Sequence, residues 1–361
     1  MPVVSIFVSA LVFAWSLWPA APIVPQASVA TASSVPRGDT RFGIHPNPDA
    51  HDSPPAGVFG VERIWDTGAT WCRLNPAPGV WDFSSLLTQL EAASRRGAGS
   101  AIVVLGFPPP HAGAGVVNPA EAGWLCPQPG YASLLPSDAA WDEYVQLTVA
   151  QVAAWRSAHP EMVVHFQVWN EPAVPWFLAE GQAPQRLVEL AARARGIVNA
   201  SLPDALLISP SVVRGRTAHK VAWQAQFVEA ARVWSQTNGQ LFDVWAVHAY
   251  PVGGTFDELW SGAEGYVAEM DDVLATVAPG RVAGDQVWVT EINANIAFTG
   301  TPVSVLTEAD QWRFVQAVAA DTAARGIPVV VWYRWHYDPW QVGSGQIVFS
   351  GQSGAMSAWA G

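Results

Sequence analysis

Two glutamates that lie far apart in the sequence each stand at the end of a run of β-forming residues. Glu171 follows the run 163–168 within an Asn-Glu-Pro sequence, and Glu291 closely follows the run 286–289. A carboxylate at the end of a buried strand is costly unless it is paired, hydrogen-bonded or functional. Two such carboxyl groups facing one cleft provide what is needed to cleave a glycosidic bond. The pair therefore indicates chemistry on sugars.

The elements that would position these glutamates follow a regular alternation. From about Arg41, short β-rich runs alternate with amphipathic helical runs, which is the pattern of repeated βα units and a parallel sheet. The predicted strands are 42–45, 61–66, 101–105, 163–169, 206–210, 244–250, 287–291 and 329–335. The predicted helices are 84–96, 141–158, 184–199, 222–236, 266–277 and 308–325. This order predicts an α/β fold, a single (β/α)8 TIM barrel.

A barrel would bring the two glutamates together, because the ends of its fourth and seventh strands lie across the mouth from one another. One carboxyl group must then be protonated to donate to the leaving oxygen, and the other must be ionised to attack the anomeric carbon. A single glutamate at a strand end is more often a salt-bridge partner or a helix cap, but two at these positions favour catalysis. An open doubly wound sheet is the alternative fold, although no glycine-rich phosphate-binding sequence follows the first strand.

The composition limits the classes of partner. The 361 residues carry 18 basic and 30 acidic side chains, a net charge of −12, which argues against nucleic acid or an anionic membrane surface as the main partner. The charge does not favour an acidic polysaccharide either, unless a local arginine patch overrides it. The chain has 20 tryptophans, which fit core packing and also flat platforms for sugar rings.

The first 36 residues carry no charge, and the stretch 6–18 is apolar. This segment resembles an export signal peptide that lacks the usual positive start, and an uncleaved membrane anchor is the alternative. We therefore expect residues 1–36 to direct export, so that the protein is secreted, periplasmic or membrane-anchored. Residues 37–361 then form the barrel domain.

Cys72 and Cys126 are the only cysteines, and two cysteines without a second pair do not make a zinc site. In an exported protein they could form a disulfide, and in a cytosolic one they would be small buried side chains. Cys72 follows the second predicted strand, and Cys126 lies in the long loop 107–138 after the third. Both positions project towards the same face of a barrel, so we expect a disulfide that ties the loop to the rim.

Several motifs together resemble the clan A glycoside hydrolases. In that clan an Asn-Glu-Pro sequence ends the fourth strand, as at 170–172 here. The stretches 63–71, RIWDTGATW, and 75–82, NPAPGVWD, look specifically like family 39 and its β-xylosidase-like relatives. The sequences HAY at 248–250 and WYRW at 332–335 fit the same pattern. The resemblance covers roughly residues 42–340.

The resemblance implies a role for each matching residue. Glu171 would be the acid/base and Glu291 the nucleophile of a retaining mechanism. Asn170 would hydrogen-bond the 2-hydroxyl of the sugar, an interaction that strengthens in the transition state. His248 and Tyr250 would orient the nucleophile and the sugar.

Two further roles follow from the same resemblance. Trp335 would be the platform beneath the reacting sugar, whereas Trp332 has the opposite strand parity and is expected to face the helices. Arg63 would support the nucleophile, with Arg73 as the alternative. We expect no metal and no cofactor, and an oligosaccharide or polysaccharide with β-linked sugars as the substrate, xylosides first and β-glucosyl polymers next. A barrel that binds carbohydrate without turnover is the alternative function.

Overall fold

The structure of the chain is a computed structural model that describes residues 39–46, 54–113, 126, 134–175, 177–294 and 306–334. All of these belong to one compact unit, Val35–Gly361. The predicted export segment 1–36 and Trp335 lie outside the described residues.

Eight parallel strands form a closed barrel in which each strand pairs with its neighbours in sequence and β1 pairs with β8. The strands are β1 (Asp39–Ile44), β2 (Phe59–Ile64), β3 (Ser100–Leu105), β4 (Val163–Val168), β5 (Leu207–Ile208), β6 (Val244–Ala249), β7 (Gln286–Ile292) and β8 (Val330–Trp332). The predicted (β/α)8 barrel and all eight predicted strands are confirmed. β5 and β8 are shorter than predicted.

Helices follow most of the strands. They are α1 (Trp71–Leu74), α2 (Ser84–Arg95), α3 (Asp138–Ala158), α4 (Pro184–Ser201), α5 (Ala218–Asn238), α6 (Phe256–Ser261), α7 (Tyr266–Val277) and α8 (Glu308–Ala324). The sequence analysis missed α1 and α6 because each is too short to show a helical period. Within the described ranges, no helix is long and apolar enough to cross a bilayer.

The inside of the barrel is packed with side chains and is not a pore. One cluster of buried residues, drawn from the strands and their flanks, fills this interior: Val61, Ile102, Ile208, Val244, Ala246, Trp288, Val329 and Val331. Gly43 is required here, because a Cβ at this position would lie 2.9 Å from the Val331 side chain. Trp332 packs outward against Phe314 of α8, with ring centroids 6.4 Å apart, as its strand parity predicts.

Cys72 and Cys126 are both buried, and their side chains are within hydrogen-bonding distance of each other. The expected proximity of Cys72 to Cys126 in the loop after β3 is therefore observed. The expected disulfide is not: both side chains are thiols. Burial and the neighbouring thiol raise the pKa of Cys72, which disfavours the reactive thiolate at neutral pH.

Oxidation during refolding, before burial protects the thiols, is expected to join these two cysteines. The bond would stabilise the fold by about 3–5 kcal/mol on a chain-entropy model, so that Tm rises. The measurement is a thiol count in the denatured, unreduced protein together with a melting curve, with Cys126→Ser as the control. Two thiols that persist after oxidation would contradict the prediction.

Candidate active site

The backbone after β4 is strained where it presents the first glutamate. Trp169 and Glu171 have φ angles of 62° and 40°, which are rare for residues other than glycine and cost about 1–3 kcal/mol each. The Trp169 backbone N–H donates to the Leu105 carbonyl at 2.7 Å, and its indole packs on Gly106, where a Cβ would be only 3.0 Å away. The Glu171 backbone N–H donates to the Ser211 hydroxyl at 2.9 Å. The turn is thus held by β3 on one side and by the segment that follows β5 on the other.

The structure brings the two glutamates together at the carboxyl ends of β4 and β7. His248 links them: its Nδ1 lies 2.6 Å from Oε1 of Glu171 and 3.4 Å from Oε2 of Glu291. A register shift between Val247 and His248 in the β6–β7 pairing sets His248 opposite Glu291. The ligand atoms of the three residues all lie within 4.8 Å of one another. All three side chains are buried.

Arg63 and Tyr250 hold the Glu291 carboxylate from two sides. A terminal N–H of the Arg63 guanidinium donates to Oε1, and the Tyr250 hydroxyl donates to Oε2, each in a short hydrogen bond. Burial, followed by the Glu291 and Glu171 carboxyl groups, raises the pKa of Tyr250 well above its usual value, so its hydroxyl remains a donor. Glu291 is therefore fixed with both oxygens occupied.

The same arginine also positions Asn170. Arg63 donates from Nη2 to Oδ1 of Asn170 at 2.8 Å and from Nε to Oε1 of Gln167 at 2.8 Å. These contacts leave the Asn170 amide nitrogen buried without a hydrogen-bond partner in the described part of the chain. A buried donor without a partner is costly. A hydroxyl of a bound molecule at this position would remove that cost.

The neutral His248 ring can change tautomer with the protonation state of Glu171. Burial lowers the pKa of His248 to about 3, so the ring is neutral and carries one proton. Its Nε2 lies 3.0 Å from the Thr290 hydroxyl, which can either accept or donate. When Glu171 is protonated, Nδ1 can accept from it while Nε2–H donates to Thr290. When Glu171 is ionised, the other tautomer donates from Nδ1, and Thr290 donates to Nε2.

Activity is expected to fall as pH rises through about 7. Burial raises the pKa of Glu171 to about 7, although Lys220 and Arg63 act to lower it. A general acid must be protonated, so above this value kcat/KM should drop about tenfold for each further pH unit. A kcat/KM profile from pH 4 to 10 on an unactivated substrate measures this. A profile that stays flat to pH 9 would contradict the prediction.

A second buried carboxylate, Asp66 just after β2, was not proposed as a site residue from the sequence. It accepts from Nε2 of His45 in a short hydrogen bond, from the Tyr333 hydroxyl at 3.0 Å and from Arg334 at 3.5 Å. Burial would raise its pKa, but His45 and then Arg334 and Tyr333 hold it below the usual value. The Tyr333 ring lies 6.3 Å from the Tyr250 ring. This cluster therefore lies beside Tyr250 and Glu291 at the mouth of the barrel.

Glu269 of α7 supports Tyr250 from behind. Its carboxylate accepts from the Tyr250 backbone N–H at 2.5 Å and from Arg216 in a short hydrogen bond. Burial raises the pKa of Glu269, an effect that Arg216 and the Tyr250 N–H partly offset. Nothing in the sequence marked this residue, because it comes from a helix and reaches the site through a backbone contact.

Replacing Glu269 by glutamine is expected to lower kcat about 5- to 30-fold, since a charge-assisted hydrogen bond to the Tyr250 backbone is weakened. In a Tyr250→Phe background the same change should lower kcat little further, because the hydroxyl through which Glu269 acts is already missing. Glu264→Gln is the matched control, as Glu264 also pairs with Arg216, at 3.1 Å, but is half exposed. Losses that simply add in the double variant would contradict a role through Tyr250.

The other predicted positions are resolved as follows. Arg63, not the alternative Arg73, contacts the second glutamate; Arg73 is exposed on α1. The platform predicted at Trp335 lies outside the described residues.

The described residues contain one cluster with the spacing of a metal site, and it is the active-site group itself. Glu171, His248 and Glu291 offer one imidazole and two carboxylates. A cation there would compete with the ion pair between Arg63 and Glu291 and with the proton of Glu171. The arrangement fits proton transfer and nucleophilic attack better than metal binding.

The fold and the paired carboxyl groups define a (β/α)8 barrel with a two-glutamate site at its catalytic face. A family model described as the glycosyl hydrolase catalytic core matches residues 135–351, more than half of the 361-residue chain. The chain therefore belongs to this family of glycosyl hydrolase catalytic cores. A comparison with curated proteins finds no match.

The solved structures that share the fold include the following three. A glucosidase from Croceicoccus marinus is 13% identical with a TM-score of 0.53, over 83% of this chain and 60% of that one. A GH39 enzyme from Xanthomonas axonopodis pv. citri is 18% identical with a TM-score of 0.54, over 77% and 52%. A GH39 β-xylosidase from Caulobacter crescentus is 16% identical with a TM-score of 0.52, over 77% and 55%. The chain thus spans little more than half the length of these proteins.

Proposed function

We propose that this chain is a retaining glycoside hydrolase that cleaves β-linked O-glycosidic bonds by double displacement. The observation that carries the proposal is the short separation of the two carboxyl groups. One oxygen of Glu171 lies within 4.8 Å of one oxygen of Glu291. Retaining enzymes hold their carboxyl groups about 5–5.5 Å apart, whereas inverting enzymes leave about 6.5–9.5 Å for a water molecule. The short separation favours direct attack by one of the glutamates.

In the first step Glu291 attacks the anomeric carbon while Glu171 donates its proton to the leaving oxygen. Glu291 suits attack because Arg63 and Tyr250 fix its carboxylate. Glu171 suits donation because burial raises its pKa to about 7, so that much of it is still protonated near neutral pH. The product is a glycosyl ester of Glu291 and a released alcohol. The Asn170 amide nitrogen, which is buried without a partner among the described residues, would hydrogen-bond a hydroxyl of the sugar beside the reacting carbon.

In the second step Glu171, now ionised, takes a proton from water, and the resulting hydroxide displaces the ester. Two inversions give net retention of configuration. The pairing of His248 with Thr290 supports this change of role, since the ring can donate to the ionised Glu171 and accept from the protonated one. Glu171 therefore keeps a hydrogen-bond partner in both steps.

The substrate we infer is an oligosaccharide or polysaccharide of β-linked sugars. Xylosides and β-glucosides are the first to test, because a glucosidase and a β-xylosidase are among the solved structures that share the fold. The net charge of −12 disfavours nucleic acid as a partner.

We also propose that the protein is exported. The support is the uncharged, apolar start of the chain at residues 1–36, which would act as a signal peptide or as an uncleaved anchor. Cell fractionation, with N-terminal sequencing of the mature protein, tests this and separates the two forms.

The experiment that tests the activity is hydrolysis of a panel of nitrophenyl β-glycosides and β-linked polysaccharides, with the anomer of the first product read by NMR. Retention predicts the β-anomer before mutarotation, and the matching α-glycosides serve as controls. An α-anomer as the first product would replace the proposal with an inverting mechanism. Binding of these sugars without turnover would instead identify a carbohydrate-binding barrel.

A further inference from the structure

The segment 214–220, which leads from β5 into α5, is basic in an otherwise acidic chain. It contains Arg214, Arg216, His219 and Lys220, the only lysine of the protein. The start of this connection is fixed by paired hydrogen bonds between the Val213 backbone and the Gln224 side chain, at 2.8 and 2.9 Å. This basic segment therefore has a defined place on the rim of the barrel.

The segment lies on the Glu171 side of the mouth. Ser211, just before it, accepts a hydrogen bond from the Glu171 backbone N–H. A general acid protonates the oxygen that leaves, so the rim next to it faces the leaving-group part of a substrate. The basic segment is thus placed where the released alcohol, sugar or otherwise, must lie.

Lys220 differs from its two arginine neighbours in its pairing. Arg216 pairs with Glu269 and, at 3.1 Å, with Glu264, and Arg214 lies 3.7 Å from Glu264. Lys220 is partly buried in the first turn of α5, where its backbone N–H donates to the capping Thr217 hydroxyl. Among the residues that the structure describes, its ammonium makes no ion pair, although acidic residues outnumber basic ones in the chain.

The charge of Lys220 acts directly on the acid. Lys220 lies one helical turn before Gln224, whose side chain bonds the Val213 backbone, so it is on the face of α5 that is turned towards the end of β5. From there its charge lowers the pKa of Glu171, against the effect of burial, as Arg63 also does. A cation beside a general acid works against retention of the proton, so its position calls for a reason. An anion brought in by the substrate would supply one by cancelling this charge.

We propose that Lys220 binds a negatively charged group, a carboxylate or a sulfate, on the leaving-group side of the substrate. This inference rests on the proposed glycosidase function. Binding neutralises the ammonium, so Glu171 holds its proton more firmly in the complex than in the empty enzyme. The enzyme would thereby favour a β-linked sugar whose leaving group carries acid, such as a uronate, over its neutral equivalent.

The test uses aryl β-glycosides of one sugar, with a carboxylate, a sulfonate or a neutral carboxamide at the same position of the leaving group. We expect wild type to prefer the anionic forms over the carboxamide by about five- to tenfold in kcat/KM, since a partly exposed charge pair contributes about 1 kcal/mol. In Lys220→Gln this ratio should fall to about one, and in Lys220→Arg it should largely survive. Arg232→Gln is the matched control on the same helix, and its ratio should equal that of wild type.

A second readout separates binding from a remote structural effect. With the anionic substrate, the basic limb of kcat, which reports the complex, should lie at higher pH than that of kcat/KM, which reports the free enzyme. Added salt should reduce the preference. If the kcat/KM ratio of anionic to carboxamide substrate is larger for the sulfonate than for the carboxylate, the natural leaving group is sulfated. If it is larger for the carboxylate, the natural leaving group is a uronate.

Equal ratios in wild type and Lys220→Gln would overturn the inference. If wild type hydrolyses the carboxamide substrate without preferring an anion, the glycosidase function stands and the role of Lys220 fails. If wild type cleaves none of the substrates while binding them, the proposed function itself fails.

Discussion

Replacing Glu291 by alanine is expected to lower kcat by on the order of 10⁴ to 10⁶, the range found when a covalent nucleophile is removed. The reason is geometric as well as chemical. Glu291 is the carboxylate that Arg63 and Tyr250 hold in place, and no other carboxylate among the described residues makes both contacts. Azide should restore part of the activity, because a small anion fits the vacated space and attacks from the same side.

The configuration of the azide product makes this result specific. A single displacement by azide in Glu291→Ala inverts the anomeric carbon, so a β-glycoside should give the α-glycosyl azide. Glu269→Gln serves as the control, since it perturbs the same hydrogen-bond chain but leaves the nucleophile present, and azide should not rescue it. Full activity of Glu291→Ala, or a β-azide from it, would remove Glu291 from the role of nucleophile.

The sequence predicted the barrel well because its evidence is local. The run 101–105, AIVVL, is apolar throughout, and the run 163–168, VVHFQV, is mostly so, as is typical of strands covered on both faces. β5 is only two residues long because its pairing with β4 is limited to Leu207 and Ile208, and only Ile208 also pairs with β6. The short helices α1 and α6 offered no period to read.

The site was predictable only where a residue stands at a strand end. Glu171, Glu291 and His248 could be placed by counting strands, since the barrel topology alone brings those ends together. Thr290 and Glu269 could not be placed in this way. The partnership of Thr290 with His248 depends on the register shift in the β6–β7 pairing, and Glu269 reaches the site from a helix. Strand register and the packing of helices on the barrel are determined by the whole fold. The residue type at a single position therefore does not predict them.

Replacing Glu171 by glutamine is expected to lower kcat/KM about 10²- to 10⁴-fold for unactivated β-glycosides, because the leaving oxygen loses its acid. With a dinitrophenyl leaving group, which needs no proton, the first step should stay fast and the second become limiting, since no base activates water. KM should then fall as the glycosyl-enzyme accumulates, and the basic limb near pH 7 assigned to Glu171 should disappear. Azide should accelerate turnover and give the β-glycosyl azide, the opposite anomer to that from Glu291→Ala. Equal losses for both kinds of leaving group would show that Glu171 is not the acid.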